Sequence, residues 1–110
     1  MAKTSQWKKA YLRELEQAEN ARSNGNEGMA RVCARRAAGI AIGEYFAREG
    51  LPDIDPSAYE RLKQLRYSPG TSNVVQRIAE HLLLRVDVDH KLPPEVDLIA
   101  ETHQLIEELL

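Results

Sequence analysis

Residues 29–46 read MARVCARRAAGIAIGEYF. The stretch contains no proline and no apolar–polar alternation of period two. Alanine and glycine recur along it, while Arg31, Arg35 and Arg36 interrupt an otherwise apolar surface. This pattern predicts a helix with small sides, built to be approached closely. Glycine inside a helix costs about 1 kcal/mol relative to alanine, so Gly39 and Gly43, four apart on one face, should be offset by tight contact with another helix. The segment therefore reads as the central packing helix of an all-α domain, and the Gly39–Gly43 face as a candidate dimer interface.

Upstream, Trp7, Tyr11, Leu15 and Ala18 recur at intervals of four, four and three. They predict a first helix over Thr4–Ser23 with one buried stripe. The turn SNGN at 23–26 ends it. The second helix then runs over Asn26–Glu49, with Met29, Val32, Cys33, Arg36, Ala37 and Ile40 expected on its buried face and Gly50 placed to stop it. The two should pack as a hairpin. Downstream, Asp55 followed by Pro56 offers a cap and a first-turn proline for a short third helix over Pro56–Arg66. YSPG at 67–70 breaks the chain, and Thr71 or Ser72 can cap a fourth helix carrying Val74, Val75, Ile78, Leu82 and Arg85. Pro93 and Pro94 forbid continuation, and Pro94 can open a fifth helix over Glu95–Leu110 with Leu98, Ile99, Leu105, Ile106 and Leu109 for burial. The expected architecture is an antiparallel bundle of four main helices plus one short helix, a single domain over 1–110.

Composition narrows the function classes. Hydrophobic residues at 43% and charged residues at 29% suit a folded domain, and with a single phenylalanine the core must be mostly Ala, Leu, Val and Ile. The lone Cys33 excludes an internal disulfide and a cysteine-based zinc site. The opening MAKTSQWKKAYLREL lacks the apolar core of a signal peptide, and no run approaches bilayer length, so the expected location is cytoplasmic with no membrane contact. Residues 1–85 carry 14 Lys and Arg against 10 Asp and Glu, whereas residues 86–110 carry one Lys against seven acids. A basic body beside an acidic last helix can pair within one bundle or across two subunits.

The text AENARSNGNEGMARVCARRAAGIAIGEYFAREG at 18–50 resembles the second-helix signature of the HEPN superfamily of small helical bundles. The resemblance extends to helix order and loop placement along nearly the whole chain. It implies a homodimeric association module of the kind found in toxin–antitoxin pairs, partnered by itself or by a small nucleotidyltransferase. In ribonuclease members an Arg is followed after four to six residues by a His. Arg85 and His90 stand at that spacing in RVDVDH. By resemblance, Arg85 would steady the scissile phosphate of an RNA, and His90, with an unperturbed pKa of about 6.5, would move a proton at the 2′-hydroxyl without a metal. Asp87 and Asp89 oppose that reading by placing negative charge where a phosphate would enter.

Arg77 and His81, four apart on the fourth helix, form a candidate anion- or nucleotide-binding stripe, or else a solvated face relieved by neighbouring acids. Arg36, placed among core positions, calls for an internal carboxylate, with Glu14, Glu101 and Glu107 as candidates. His103 with Glu107 falls short of a metal site, and no cofactor is expected. The chain shows no glycine-rich phosphate loop, no nucleophile with an evident base and no basic patch interleaved with aromatics.

Overall fold

A computed structural model describes residues 6–68, 70–84 and 96–110. These are all-helical apart from turns: α1 Gln6–Ser23, α2 Glu27–Glu49, α3 Ala58–Arg66, α4 Asn73–Leu83 and α5 Leu98–Leu109. No strand occurs among the described residues. α1 and α2 form the expected hairpin across a tight turn in which Gly25 takes a positive φ. Trp7, near the start of α1, meets the Arg48 guanidinium, near the end of α2, 5.8 Å from its ring centre.

Helix boundaries follow capping chemistry. Asn26 accepts from the Met29 amide at 3.1 Å and starts α2. Gly50, at φ 67°, stops it in the left-handed region, with the Leu51 amide donating to the Phe46 carbonyl at 2.9 Å. The third helix begins later than its sequence predicts. Asp55 does not cap it but accepts from the Ser57 amide, and Ser57 is the true cap, accepting from the Glu60 amide at 3.1 Å. The Ser57–Glu60 spacing is that of a capping box, which outcompetes the Asp55–Pro56 signal. Of the two candidates for α4, Ser72 caps it, accepting from Val75 at 3.1 Å.

α2 is the hub: it packs against α1, α3 and α5, while α4 packs against α3 and α5. Its buried residues are Ala30, Cys33, Ala34, Ala37, Ala38, Gly39, Ala41, Ile42 and Phe46. This corrects the expected face. Met29 and Arg36 are exposed, and Val32 and Ile40 are half-buried. With neighbours on several sides, the alanines take the closest contacts. The helix turns its Met29–Arg36 edge to solvent and spares a guanidinium the cost of desolvation. The largest fully buried side chain, Phe46, joins Tyr11, Leu15, Leu62, Leu65, Ile78, Leu82 and Leu105 in one core. Among the described residues Thr102 is the one buried polar residue, and its hydroxyl donates to the Leu98 carbonyl at 2.8 Å, one turn earlier in α5.

Two arginines tie helix ends together. Arg22 holds Glu27 through Nε and Nη2 at 3.1 and 2.9 Å, and Asp97 through Nη1 at 2.9 Å. Asp97 in turn caps α5 by accepting from Ile99 and Ala100. One guanidinium thus fastens the α1–α2 turn to the start of α5. Arg35 of α2 donates to the carbonyls of Leu82 and Leu84 at 2.7 and 3.3 Å, satisfying the C-terminus of α4.

Candidate interaction surface

The site is built on the way α3 sits on α2. A methyl group on Gly39 would stand 2.7 Å from the Ala58 Cβ and 2.8 Å from its Cα. One on Gly43 would stand 2.5 Å from Arg61 Nη1. The two glycines therefore form a groove filled by Ala58 and Arg61 of the same chain, which is the tight helix contact the sequence asks for. Arg61 Nη1 donates to the Gly39 carbonyl at 3.0 Å, while Nε and Nη2 grip Asp53 at 3.1 and 2.6 Å. The bidentate hydrogen bond from Arg61 holds the Asp53 carboxyl below the usual carboxylate range, against a smaller opposing effect of burial. Gln64 adds a bond to the Pro52 carbonyl at 2.6 Å, so the 51–57 connection is strapped to α3 at two points.

Anchoring Ala58, Arg61, Leu62 and Leu65 inward fixes what points outward. Glu60, Lys63 and Tyr67, spaced by three and four, occupy the opposite side of α3. Lys63 lies 5.4 Å from the Tyr59 ring centre, and the Arg66 guanidinium 5.3 Å from that of Tyr67. Two clefts flank this ridge. One of about 420 Å³ is lined by Ile54, Asp55, Glu60, Lys63, Gln64, Tyr67 and Ser68. Another of about 270 Å³ shares Lys63 and Tyr67 and reaches Tyr59, Arg66, Glu80, Leu83 and Leu84. Ile54 and Tyr67 are 80% and 73% exposed, the two most exposed large apolar side chains described. Arg66 pairs with Glu80 at 3.0 Å and Lys63 approaches Glu60 at 3.9 Å, so both signs of charge surround the apolar centre.

The ridge sets Lys63 and Arg66 beside Tyr59 and Tyr67, with Glu60 and Glu80 balancing their charge. Its signal was present: in AYERLKQLRY, Tyr59, Lys63, Arg66 and Tyr67 fall at i, i+4, i+7 and i+8, the spacing of one helical flank. The Arg61–Asp53 clamp had no comparable signal, because its members are joined only through the loop.

The other sequence-selected residues are placed as follows. Gly39 and Gly43 lie beneath α3. Arg77 is exposed on α4. His81 is engaged: its Nδ1 donates to Glu101 Oε1 at 2.8 Å, joining α4 to α5. Arg36, expected to be buried and ion-paired, is exposed and forms no ion pair among the described residues. His103 lies 3.5 Å from the Tyr11 hydroxyl, and no group of His, Cys, Asp and Glu able to hold a metal occurs among the described residues. Among them, too, no helix is long and apolar enough to cross a membrane. Arg85 and His90 lie outside the described residues. The chain matches no protein-family model, and neither the curated proteins nor the solved structures contain a significant match to it.

Proposed function

We propose that the chain is a HEPN-like helical association module that acts by pairing with a second copy of itself across the outer face of α3. In this reading α1, α2, α4 and α5 are the four main antiparallel helices and α3 is the short one. The observation that carries it is the exposure of Ile54 and Tyr67 around a single cleft, on the side of α3 turned away from its anchor in the glycine groove. Burying a side chain such as Ile54 is worth roughly 1.5–3 kcal/mol, and Tyr and Arg are favoured anchors at protein interfaces. Lys63, Arg66, Glu60 and Glu80 put both signs of charge around the apolar centre, the mixture a two-fold interface can pair with its own copy. Sedimentation equilibrium of the full chain tests this. The native protein should be a dimer, and Ile54→Glu should weaken it by about tenfold or more without altering the fold. A native chain that stays monomeric at high concentration, or a dimer indifferent to Ile54→Glu, would overturn the proposal.

A further inference from the structure

The two clefts beside the α3 ridge differ in sign. They share Lys63 and Tyr67, which mark the line between them. In the first cleft Asp55 and Glu60 stand with Lys63, two acids against one base, for a net charge of −1. In the second Lys63 and Arg66 stand with Glu80, two bases against one acid, for a net charge of +1. Each cleft also carries an exposed apolar side chain. In the first it is Ile54, and in the second it is Leu84, with Leu83 beside it. A two-fold axis relating two facing surfaces lies in the plane of their contact, so only its direction on the patch is open. An axis running across α3 keeps each cleft on its own side, and negative then meets negative and positive meets positive. An axis running along α3 exchanges the sides. Each negative cleft then lies against the partner's positive one, and each Ile54 against the partner's Leu83 and Leu84.

We propose that the two-fold axis runs along α3, so that each copy completes the other's clefts. Ile54 of one copy enters the partner's cleft between α3 and α4, and Asp55 faces the partner's Arg66. This assignment rests on the pairing proposed above and adds its direction, because complementary charge fixes register between surfaces that apolar contact alone would leave free to turn. The receiving cleft, about 270 Å³, has room for one isoleucine side chain. On the axis itself Tyr67 meets its own copy, and Lys63 keeps Glu60, 3.9 Å away, as its counter-ion.

Cross-linking of the full chain tests the direction. Ile54→Cys and Leu84→Cys, both at exposed positions, are each combined with Cys33→Ala, mixed, left to exchange subunits and treated with a short bismaleimide. Covalent dimers holding one chain of each kind are expected in the mixture, and none in either variant alone. Covalent dimers within either variant alone would overturn the direction and leave the association standing. So would their absence from all three samples while sedimentation shows a dimer. A native chain that stays monomeric would overturn both. Asp55→Asn adds a check through its sign, since asparagine keeps an acceptor for the Ser57 amide and spares the loop. With the axis along α3 it removes an attraction to the partner's Arg66. The dimer should weaken about two- to fivefold, the scale of one exposed ion pair, and less in high salt. With the axis across α3 the same change removes a repulsion between the two Asp55 side chains. A dimer that is unchanged or tighter in Asp55→Asn would overturn the proposal.

Discussion

The guanidinium of Arg61 presses against the bare Cα of Gly43, leaving no room there for even a methyl group. The same side chain bonds the Gly39 carbonyl and Asp53, so a residue absent from the hydrophobic core decides how α3 lies on α2.

The two glycines should respond differently to alanine. At Gly43 the obstacle is the far end of a flexible side chain, and the helix gains about 1 kcal/mol of propensity. Gly43→Ala should therefore come out close to neutral as Arg61 swings aside. At Gly39 the obstacle is the Ala58 backbone. Gly39→Ala should force α3 outward and cost about 1–3 kcal/mol, the scale of overpacking. Urea denaturation of both variants checks the order.

How much of this was legible in the sequence follows from the range of each interaction. Caps and stripes are local, so the five helices, a cap for α4 at Thr71 or Ser72 and the Tyr11–Leu15–Ala18 stripe could be read directly. The glycine pair announced a close helix contact, but not which helix would supply it, because Ala58 and Arg61 are about twenty residues away. Arg36 reads as a core position in the sequence because alanine on every side makes the phase of α2 ambiguous. A helix with neighbours on several flanks has no single apolar stripe to mark its inner face. His81 reads as part of an anion-binding stripe or a solvated face of α4, while its partner Glu101 comes from another helix and has no sequence signature. The α3 ridge is visible in its spacing but does not stand out as a charged patch, because its basic residues are balanced by Glu60 and Glu80.

Alkaline solution should loosen the core at Tyr11. Burial first, and the charge of Glu107 second, push its pKa up to about 12 from 10.0. The ionised form is thus disfavoured in the fold, and this stability is complete below pH 10 and lost as pH rises toward 12. The loss is roughly 2–3 kcal/mol. Thermal unfolding across that range should fall for the native chain and fall less for Tyr11→Phe.

Acid should act at the junction of α1, α2 and α5. Burial raises the Asp97 pKa, but hydrogen bonds from Arg22 and from the Ala100 and Ile99 amides outweigh it and hold the carboxyl below its ordinary value. A depressed pKa stabilises the fold above the unfolded value, near 3.9, and that contribution disappears as pH falls through the folded one. Asp97→Asn keeps a capping side chain while losing the charge. It should be less stable than the native chain at neutral pH and converge with it in acid, as read by denaturant midpoints.

The association reading also predicts that RNA remains intact in the presence of the purified chain, with or without His90→Ala. Gel analysis of a labelled RNA checks this. Cleavage by the native chain that His90→Ala abolishes would instead favour catalysis by Arg85 and His90.

The most direct test of the central claim, that the outer face of α3 meets its own copy, is a distance between two copies of one residue. A spin label placed through Lys63→Cys, with Cys33→Ala to remove the buried native thiol, would sit on the ridge itself. Pulsed electron–electron resonance on the full chain should return one short, well-defined intermolecular distance, because a two-fold seam brings identical residues together. The absence of intermolecular coupling at concentrations where the chain is fully assembled would contradict the account.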